Sequence, residues 1–524
     1  MSASLTVSRS EVRPAGRVEL GLLAGILLIA LALRAWALDF GLPYLYHPDE
    51  PNKIEIAQNI VKTGDLNPHY FRKPTLLIYA NALLYLPYYA VEKARGVYSS
   101  PADIPPPERL TMGVGHIGAP GAVVMGRSLT VVVGVLGVLF TWLLGKRLLG
   151  RSEPALLAAL AMAVSPVNVI QSHYIEVNTF LGTALLGVGW YCLGIYDLGR
   201  RRDYLLAGFL TGVAVSCKYP GAVVAIMPVT AHWLRSGHRL KPLEFLTQCF
   251  LAMPVGFFLF TPFAILDPVS FLLGAGSEAY HYASGHEGLE GMAPLWYLEY
   301  AARYEGPLMM LAVLAMVWAY IRKLDRIVLM GVFVVAYYVF ISCFQVRNSR
   351  TFLPITPFLF LLGAWLVMEL ADRVRDASPS GRRAWAGTGL ALLTLVCIAV
   401  PLKEAIDFDL RLGQVDSRET ARVWIEENIP KGSRVMIESY TPFVRPDEFQ
   451  VDTTLRMTEH PPQWYSVKGY QYLVFSQGMY SRYFRDPKRY PQEVAEYQAL
   501  FDRFPLVKKF EDGGYEVRIH EVVQ

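Results

Sequence analysis

Charged residues are scarce in this chain, 18% of 524 positions against about 25% in a typical soluble globular protein, and that scarcity excludes an ordinary soluble enzyme. The charges nearly cancel. The 49 Lys and Arg exceed the 45 Asp and Glu by only four, too small an excess to attract nucleic acid, so no nucleic-acid partner is expected. Cysteine is sparse as well: Cys192, Cys217, Cys249, Cys343 and Cys397 all lie inside or at the rim of apolar blocks, and none falls in the polar C-terminal stretch. This excludes a disulfide framework and a cysteine metal site. No internal repeat and no low-complexity tract occurs. The N-terminal segment places Arg9, Arg13 and Arg17 before an apolar run that lacks a small-residue cleavage site ahead of Asp39, which predicts a retained first helix.

What the chain has in abundance is apolar blocks, 53% of its residues being hydrophobic. A helix needs about 20 residues to cross a hydrocarbon core of roughly 30 Å. Candidate spans are 18 to 38, 121 to 145, 153 to 170, 179 to 197, 204 to 217, 220 to 234, 243 to 265, 301 to 321, 327 to 345, 351 to 371 and 385 to 402. The expected fold class is therefore a polytopic α-helical membrane protein with eleven crossings. A twelfth block, 73 to 91, is nearly long enough, and the loops decide its place. Without it, the segments on the N-terminal side carry nineteen Lys or Arg, whereas the opposing loops 171 to 178 and 266 to 296 carry none. If it crossed, this positive-inside bias would be inverted. Residues 73 to 91 are thus read as an external juxtamembrane helix within a first external loop of 39 to 120. A third external loop runs from 266 to 299. The N-terminus is expected in the cytoplasm of a multi-pass cell (inner) membrane protein.

After the last span the composition changes. Residues 403 to 524 combine an amphipathic helix, ETARVWIEENI, with short β-rich runs such as SRVMIES, YQYLVFS and YEVRIHE. They predict a small α/β domain, which an odd number of crossings places on the external (periplasmic) side, separate from the membrane domain of 1 to 402.

The first external loop opens with YLYHPDEPNKIEIAQNI. Asp49 and Glu50 stand at a helix start marked by Pro51, where carboxylates are favoured by the helix dipole. Such a pair can cap an amphipathic helix, or act as a general base with its orienting partner. Further along, Arg72 and Lys73 precede Pro74 and the apolar surface helix, placing cations at headgroup level where they suit a lipid phosphate. Glu278, His281, His286 and Glu287 in the third external loop match no metal-ligand spacing and are read as ordinary loop residues; no metal is assigned, a divalent ion having no support in the sequence.

The order of these features resembles the GT-C superfamily of polytopic glycosyltransferases, in particular the protein O-mannosyltransferase and aminoarabinose-transferase-like branch. The resemblance covers residues 18 to 402. It rests on Asp49-Glu50 after a first span, an amphipathic helix followed by Gly64-Asp65, Lys73-Pro74, Arg127 in GRSLTVVVG, Ser165-Pro166 in ALLAALAMAVSPVNVIQSHYIEVN, Lys218 in GFLTGVAVSCKYPG, and Arg350 and Pro354 in RNSRTFLPITPFL. Two departures are visible. Lys73-Pro74 is followed by Thr75 instead of a second proline, and Asn178 stands where the family usually has an aspartate, so that either Glu176 takes over that role or the first acidic pair suffices.

The resemblance implies an inverting transfer of a sugar from a polyprenyl-phosphate donor to a glycan, lipid or protein hydroxyl, in contact with membrane lipid. Asp49, Glu50 and Glu176 are the implied catalytic acids. Lys73, Arg72, Arg127, Lys218, Arg347, Arg350 and His173 are the candidates for the donor phosphate, all near outer ends of expected spans. The competing reading is a transporter or lipid flippase whose charged span ends line a path; it predicts charges at span centres and symmetry between halves, and the sequence has neither.

Overall fold

A computed structural model describes residues 15–377 and 383–523; Arg9, Arg13 and Arg382 of the expected cytoplasmic basic clusters lie outside the described residues. Among these, five helices are long and apolar enough to cross a membrane: Arg17–Ala35, Pro120–Leu149, Val177–Leu198, Asp325–Ser342 and Ser349–Asp376. A pair bent by 54°, Ser152–Val164 with Pro166–Ser172, makes a sixth crossing if read as one span, and Glu244–Phe260 and Pro307–Ile321 are apolar but shorter. The expected blocks are therefore less regular than eleven straight helices. The break in the third block has a direct cause: Pro166 pushes Ser165 out of the helical region, to φ −61° and ψ 120°. The block at 220 to 234 begins as a 3-10 turn, Tyr219–Ala225, before the helix Ile226–Arg235. That at 301 to 321 opens with a π turn, Ala301–Glu305, and is interrupted at Gly306, whose φ of 84° favours glycine.

The helix within Ser349–Asp376 is the buried centre of the bundle, packed between Pro307–Ile321 and Ser152–Val164. Small residues permit the tightest crossings. A Cβ at Gly208 would lie 2.0 Å from the Cys249 carbonyl oxygen, and one at Gly256 would lie 2.0 Å from that of Phe209, so the helices Arg201–Cys217 and Glu244–Phe260 touch backbone to backbone. The helix Leu76–Ala94, the twelfth apolar block, carries Pro87 in its interior and packs against Glu50–Thr63 and Pro120–Leu149. It is absent from the helices apolar enough to cross.

The long helix Arg383–Leu412 leads into a five-stranded sheet with the order Gln450–Thr453, Arg434–Ile437, Tyr472–Ser476, Val517–Glu521, Leu506–Phe510. The first three strands run parallel, and Val517–Glu521 pairs antiparallel with both of its neighbours. Alternation along the strands fills two layers. Val435, Ile437 and Val474 face the helix Ser417–Asn428 together with Val114 of the first loop, while Met436, Leu473 and Phe475 face Tyr497 and Leu500 of the helix Pro491–Arg503. The sheet is thus covered on both faces and seated on the first loop, where the Tyr440 N–H donates to the Met112 carbonyl at 2.8 Å.

The bend at Ser165 is held by Glu305. This buried carboxylate accepts from the Ser165 hydroxyl at 2.6 Å, from the Val167 N–H at 2.9 Å and from the Tyr300 hydroxyl at 3.2 Å. Glu305→Ala orphans these donors at about 1–3 kcal/mol for each one left buried. The expected outcome is a clear fall in the thermal midpoint of the purified protein in detergent. Glu305→Gln, which keeps an acceptor oxygen, is expected to lose less.

Candidate active site

Asp49 and Glu50 are neighbours in sequence with different surroundings. Asp49 is the N-cap of the helix Glu50–Thr63, and one residue further the backbone has turned Glu50 into the protein. Glu50 is wholly buried and receives Nε and Nη2 of Arg127 at 3.0 and 2.8 Å, plus the Ile175 N–H at 3.0 Å. Arg127 spends its other terminal nitrogen on the Leu38 and Phe40 carbonyls, at 2.7 and 3.0 Å, and its guanidinium lies 3.8 Å from the centre of the Phe40 ring. The phosphate role expected for Arg127 is therefore corrected: it is fully buried, its donors are taken, and it ties the end of the first span to Glu50 and Ile175. Burial pushes the Glu50 carboxyl up, but Arg127 outweighs it and holds the group below its ordinary value.

Asp49 remains half-buried and pairs with Arg350. Arg350 is placed by its own short helix, Ser349–Phe352, which Asn348 caps by accepting the Arg350 N–H at 3.1 Å. Burial raises the Asp49 carboxyl, yet Arg350, then Lys53 and His47, hold it well below the usual carboxylate range. Glu176 caps the helix Val177–Leu198, accepts from Lys53 at 2.6 Å and lies 3.8 Å from Arg350. Burial again pushes it up, and the Lys53 ammonium, followed by Arg350, brings it below its ordinary value.

A second cluster lies beyond Arg350. Lys73 pairs with Glu278, which also has Arg72 at 3.6 Å. Lys73 and Lys218 stand 5.8 and 5.9 Å from the centre of the Tyr282 ring, and Lys218 donates to Asn178 Oδ1 at 3.0 Å. The Tyr282 phenol registers this field. Lys218 leads in drawing it below its ordinary value, against the effect of burial, with Lys73 and Arg350 adding to the pull. Five of the expected residues, Asp49, Glu176, Lys73, Lys218 and Arg350, are thereby brought together, with Arg72 at the edge.

Arg347 is directed elsewhere. Its guanidinium packs on Gly291, its N–H donates to the Leu289 carbonyl at 2.8 Å, and among the described residues it has no carboxylate partner. His173 also departs from expectation. It is buried against Phe408, with Nδ1 on the Val169 carbonyl at 2.9 Å and Nε2 3.4 Å from Asp409, so it is held among the helices and its phosphate role is corrected.

Four residues that were not assigned a role in the sequence belong to the site: His47, Lys53, Glu278 and Tyr282. Two signals were present, since Lys53 follows Asp49 by four residues and Tyr282 follows Glu278 by four, the spacing of one helical face. His47 stacks on Tyr174 at 4.1 Å, and burial lowers its imidazole below its ordinary value. His47, Asp49 and Glu176 offer ligand atoms within 4.8 Å of one another. Lys53 and Arg350 already neutralise both carboxylates, so this donor set has no net charge to draw in a divalent cation.

The tail domain reaches the same region. Arg482 donates to the Tyr440 hydroxyl at 2.7 Å and contacts His286 at 3.3 Å. The segment 286 to 290 is strapped to this domain through Glu287 with Tyr483 at 2.7 Å and Arg456 at 3.2 Å, and through Glu290 with Arg489 at 2.5 Å and Tyr490 at 2.8 Å.

The Glu50–Arg127 pair yields a prediction that separates scaffold from chemistry. Removing one partner of a buried pair typically costs about 3–5 kcal/mol, because the other charge is left unpaired. Glu50→Ala and Arg127→Ala are each expected to lower the thermal midpoint and the yield of monodisperse protein. Asp49→Asn, at the half-buried position, is expected to leave both nearly unchanged.

The family model described as dolichyl-phosphate-mannose-protein mannosyltransferase matches residues 122–265. No curated protein matches the sequence. Among solved structures, the archaeal oligosaccharyltransferase AglB from Archaeoglobus fulgidus, in complex with an inhibitory peptide and a dolichol-phosphate, is similar with a TM-score of 0.54 at 13% identity, covering 91% of this chain and 72% of that one. ArnT from Cupriavidus metallidurans, bound to undecaprenyl phosphate, aligns over 97% of both chains at 14% identity with a TM-score of 0.48. The chain carries the fold seen in these GT-C glycosyltransferase structures, and its residues 122–265 are similar to the dolichyl-phosphate-mannose-protein mannosyltransferase family model.

Proposed function

We propose that the chain is an integral-membrane, inverting glycosyltransferase that moves a hexose or pentose from a polyprenyl-phosphate donor to a hydroxyl acceptor on the external face. The observation that carries this reading is the position of Arg350, paired with Asp49 on one side and within the field of Tyr282, Lys73 and Lys218 on the other. A carboxylate for the acceptor and cations for a phosphate thus adjoin through one side chain.

In the reaction the acceptor oxygen forms a bond to the anomeric carbon as the bond from that carbon to the phosphate oxygen breaks. The electron pair leaves with the phosphate, whose growing charge Lys73, Lys218 and Arg350 stabilise, and the hydroxyl proton passes to Asp49. Arg350 makes Asp49 a weak base before the donor binds. When the donor phosphate draws Arg350 toward itself, Asp49 loses its counter-charge and its affinity for a proton rises, so donor binding and base activation are coupled. Glu176 and Lys53 hold the neighbouring charges in place.

The prenyl chain is assigned to an apolar groove of about 270 Å³ between the helices Arg201–Cys217 and Glu244–Phe260 and the turn Tyr219–Ala225, lined by Val215, Ala222, Met253 and Phe257 among others. The groove adjoins the end of the helix that Lys218 terminates, which supports a continuous path for a lipid phosphate. Eleven crossings, a cytoplasmic N-terminus and an external tail domain complete the reading, supported by the basic bias of the loops.

Transfer from a panel of labelled polyprenyl-phosphate sugars in proteoliposomes tests the proposal. Asp49→Asn is expected to lower kcat by roughly 10²- to 10⁴-fold with donor binding kept. Lys73→Ala is expected to weaken donor binding. A wild-type protein that neither consumes nor binds any donor on the panel would overturn the reading. The pH profile gives an independent check. Because the Asp49 carboxyl is held below 3.8 in the free protein, it stays ionised and kcat/KM for the donor shows no acid limb from it above about pH 4. In the donor complex, with Arg350 withdrawn, the acid limb of kcat is expected at higher pH.

A further inference from the structure

Glu278 is the one carboxylate of the cation cluster that the mechanism above leaves unused. It lies on the helix Pro268–Ser284, is only 8% exposed, and occupies Lys73 with Arg72 beside it. Its approach is built into the backbone. One helical turn earlier, a Cβ at Gly274 would meet the carbonyl carbon of Phe71 at 2.9 Å, so only glycine lets this helix lie directly on the segment that presents Arg72 and Lys73. The opposite side of the helix is apolar and faces away from the protein, with Val269, Leu272, Leu273 and Tyr280 each about 70% exposed. The helix runs into Gly285 at φ 102°. One side of the helix thus closes on Lys73, while the other makes little contact with the rest of the chain.

The charges around the phosphate position are informative as pairs. Lys73 is held by Glu278 and Arg350 by Asp49, whereas Lys218 has the Asn178 amide and the Tyr282 ring and, among the described residues, no carboxylate partner. Two of the three cations thus face internal carboxylates, and a phosphate that engages Lys73 must displace Glu278 from it. We propose that Glu278 occupies the donor-phosphate position on Lys73 between turnovers, and that its return to this lysine drives off the polyprenyl-phosphate product. The inference rests on the donor class proposed above.

The chemistry supplies the reason such a group is needed. A polyprenyl-phosphate sugar is a phosphodiester with one negative charge. The product is a monoester carrying about −1.5 to −2 at neutral pH. Cations that stabilise the leaving phosphate therefore bind the product more tightly than the donor, and an enzyme built of Lys73, Lys218 and Arg350 alone would be slow to release it. An internal carboxylate on the same lysine competes with both ligands for one cation. Glu278 thereby acts as a positioning residue that sets the balance between donor capture and product release.

The test uses the purified full chain and two probes, undecaprenyl phosphate as the monoester and undecaprenyl methyl phosphate as a diester, with transfer measured from whichever labelled donor the protein accepts. Glu278→Gln is expected to tighten monoester binding by roughly tenfold, the scale of one charged hydrogen bond, and to tighten diester binding less. It should lower both KM for the donor and kcat, with added undecaprenyl phosphate inhibiting at lower concentration than in wild type. Glu278→Asp, which keeps the charge, should restore much of the release. In a Lys73→Met background the Glu278 substitution should have no further effect on monoester binding. A merely structural Glu278 would instead weaken both probes and raise KM when replaced, and that result, or unchanged affinities, would overturn the proposal. Wild-type protein that binds neither probe and transfers no sugar would overturn the donor reading itself.

Discussion

The Glu50–Arg127 pair is the interaction on which the candidate site depends. It joins the end of the first span, the start of the first-loop helix, the long helix Pro120–Leu149 and the turn before Glu176 through one guanidinium and one carboxylate. Its buried charges are unfavourable unless matched, and here each Arg127 donor group has a partner. Only with this connection in place do Asp49 and Glu176, which come from loops 127 residues apart, fall within reach of the same Arg350. The half-buried Asp49 thus stands one residue away from a wholly dehydrated pair.

This explains why the acidic pair was legible as a site while its division of labour was not. Pro51 and the two acids announce a helix start, but whether Asp49 or Glu50 turns inward depends on how that start meets Arg127, which is set by the tertiary fold. Arg127 was misread for a related reason: a charge near membrane depth marks a functional group or a buried tie with equal force, and sequence does not show the Leu38 and Phe40 carbonyls that satisfy it. Lys73 was legible because its proline and apolar helix place it at the interface whatever the rest does. Glu278 was not, since 205 residues separate it from Lys73 and its own segment reads as a polar loop.

The tail shows the same gradient. The runs at 433 to 439, 471 to 477 and 515 to 521 became strands because alternating Val, Ile, Leu and Phe fill two layers at once. Gln450–Thr453 and Leu506–Phe510 were missed, and both are edge strands whose exposed, polar-rich sequences carry little hydrophobic pattern. In the membrane domain, block positions were readable and their breaks less so. Pro166 signals a bend, but the carboxylate that secures it is Glu305, 140 residues away.

The tail sheet is held to the rest of the chain along two seams, the strap at residues 286 to 290 and the first loop. The carboxylates and cations of the candidate site are fixed by membrane helices and the first loop, and the tail meets that loop directly: Arg418 donates to the Tyr46 carbonyl, Glu419 accepts from the Tyr46 hydroxyl, and Phe443 packs on Tyr44. Residues of the tail therefore bear on the stretch of backbone that leads into Asp49. A tail organised in this way is not a detachable module: a change at Arg418 or Glu419 reaches Tyr46 and, through the first loop, the surroundings of Asp49.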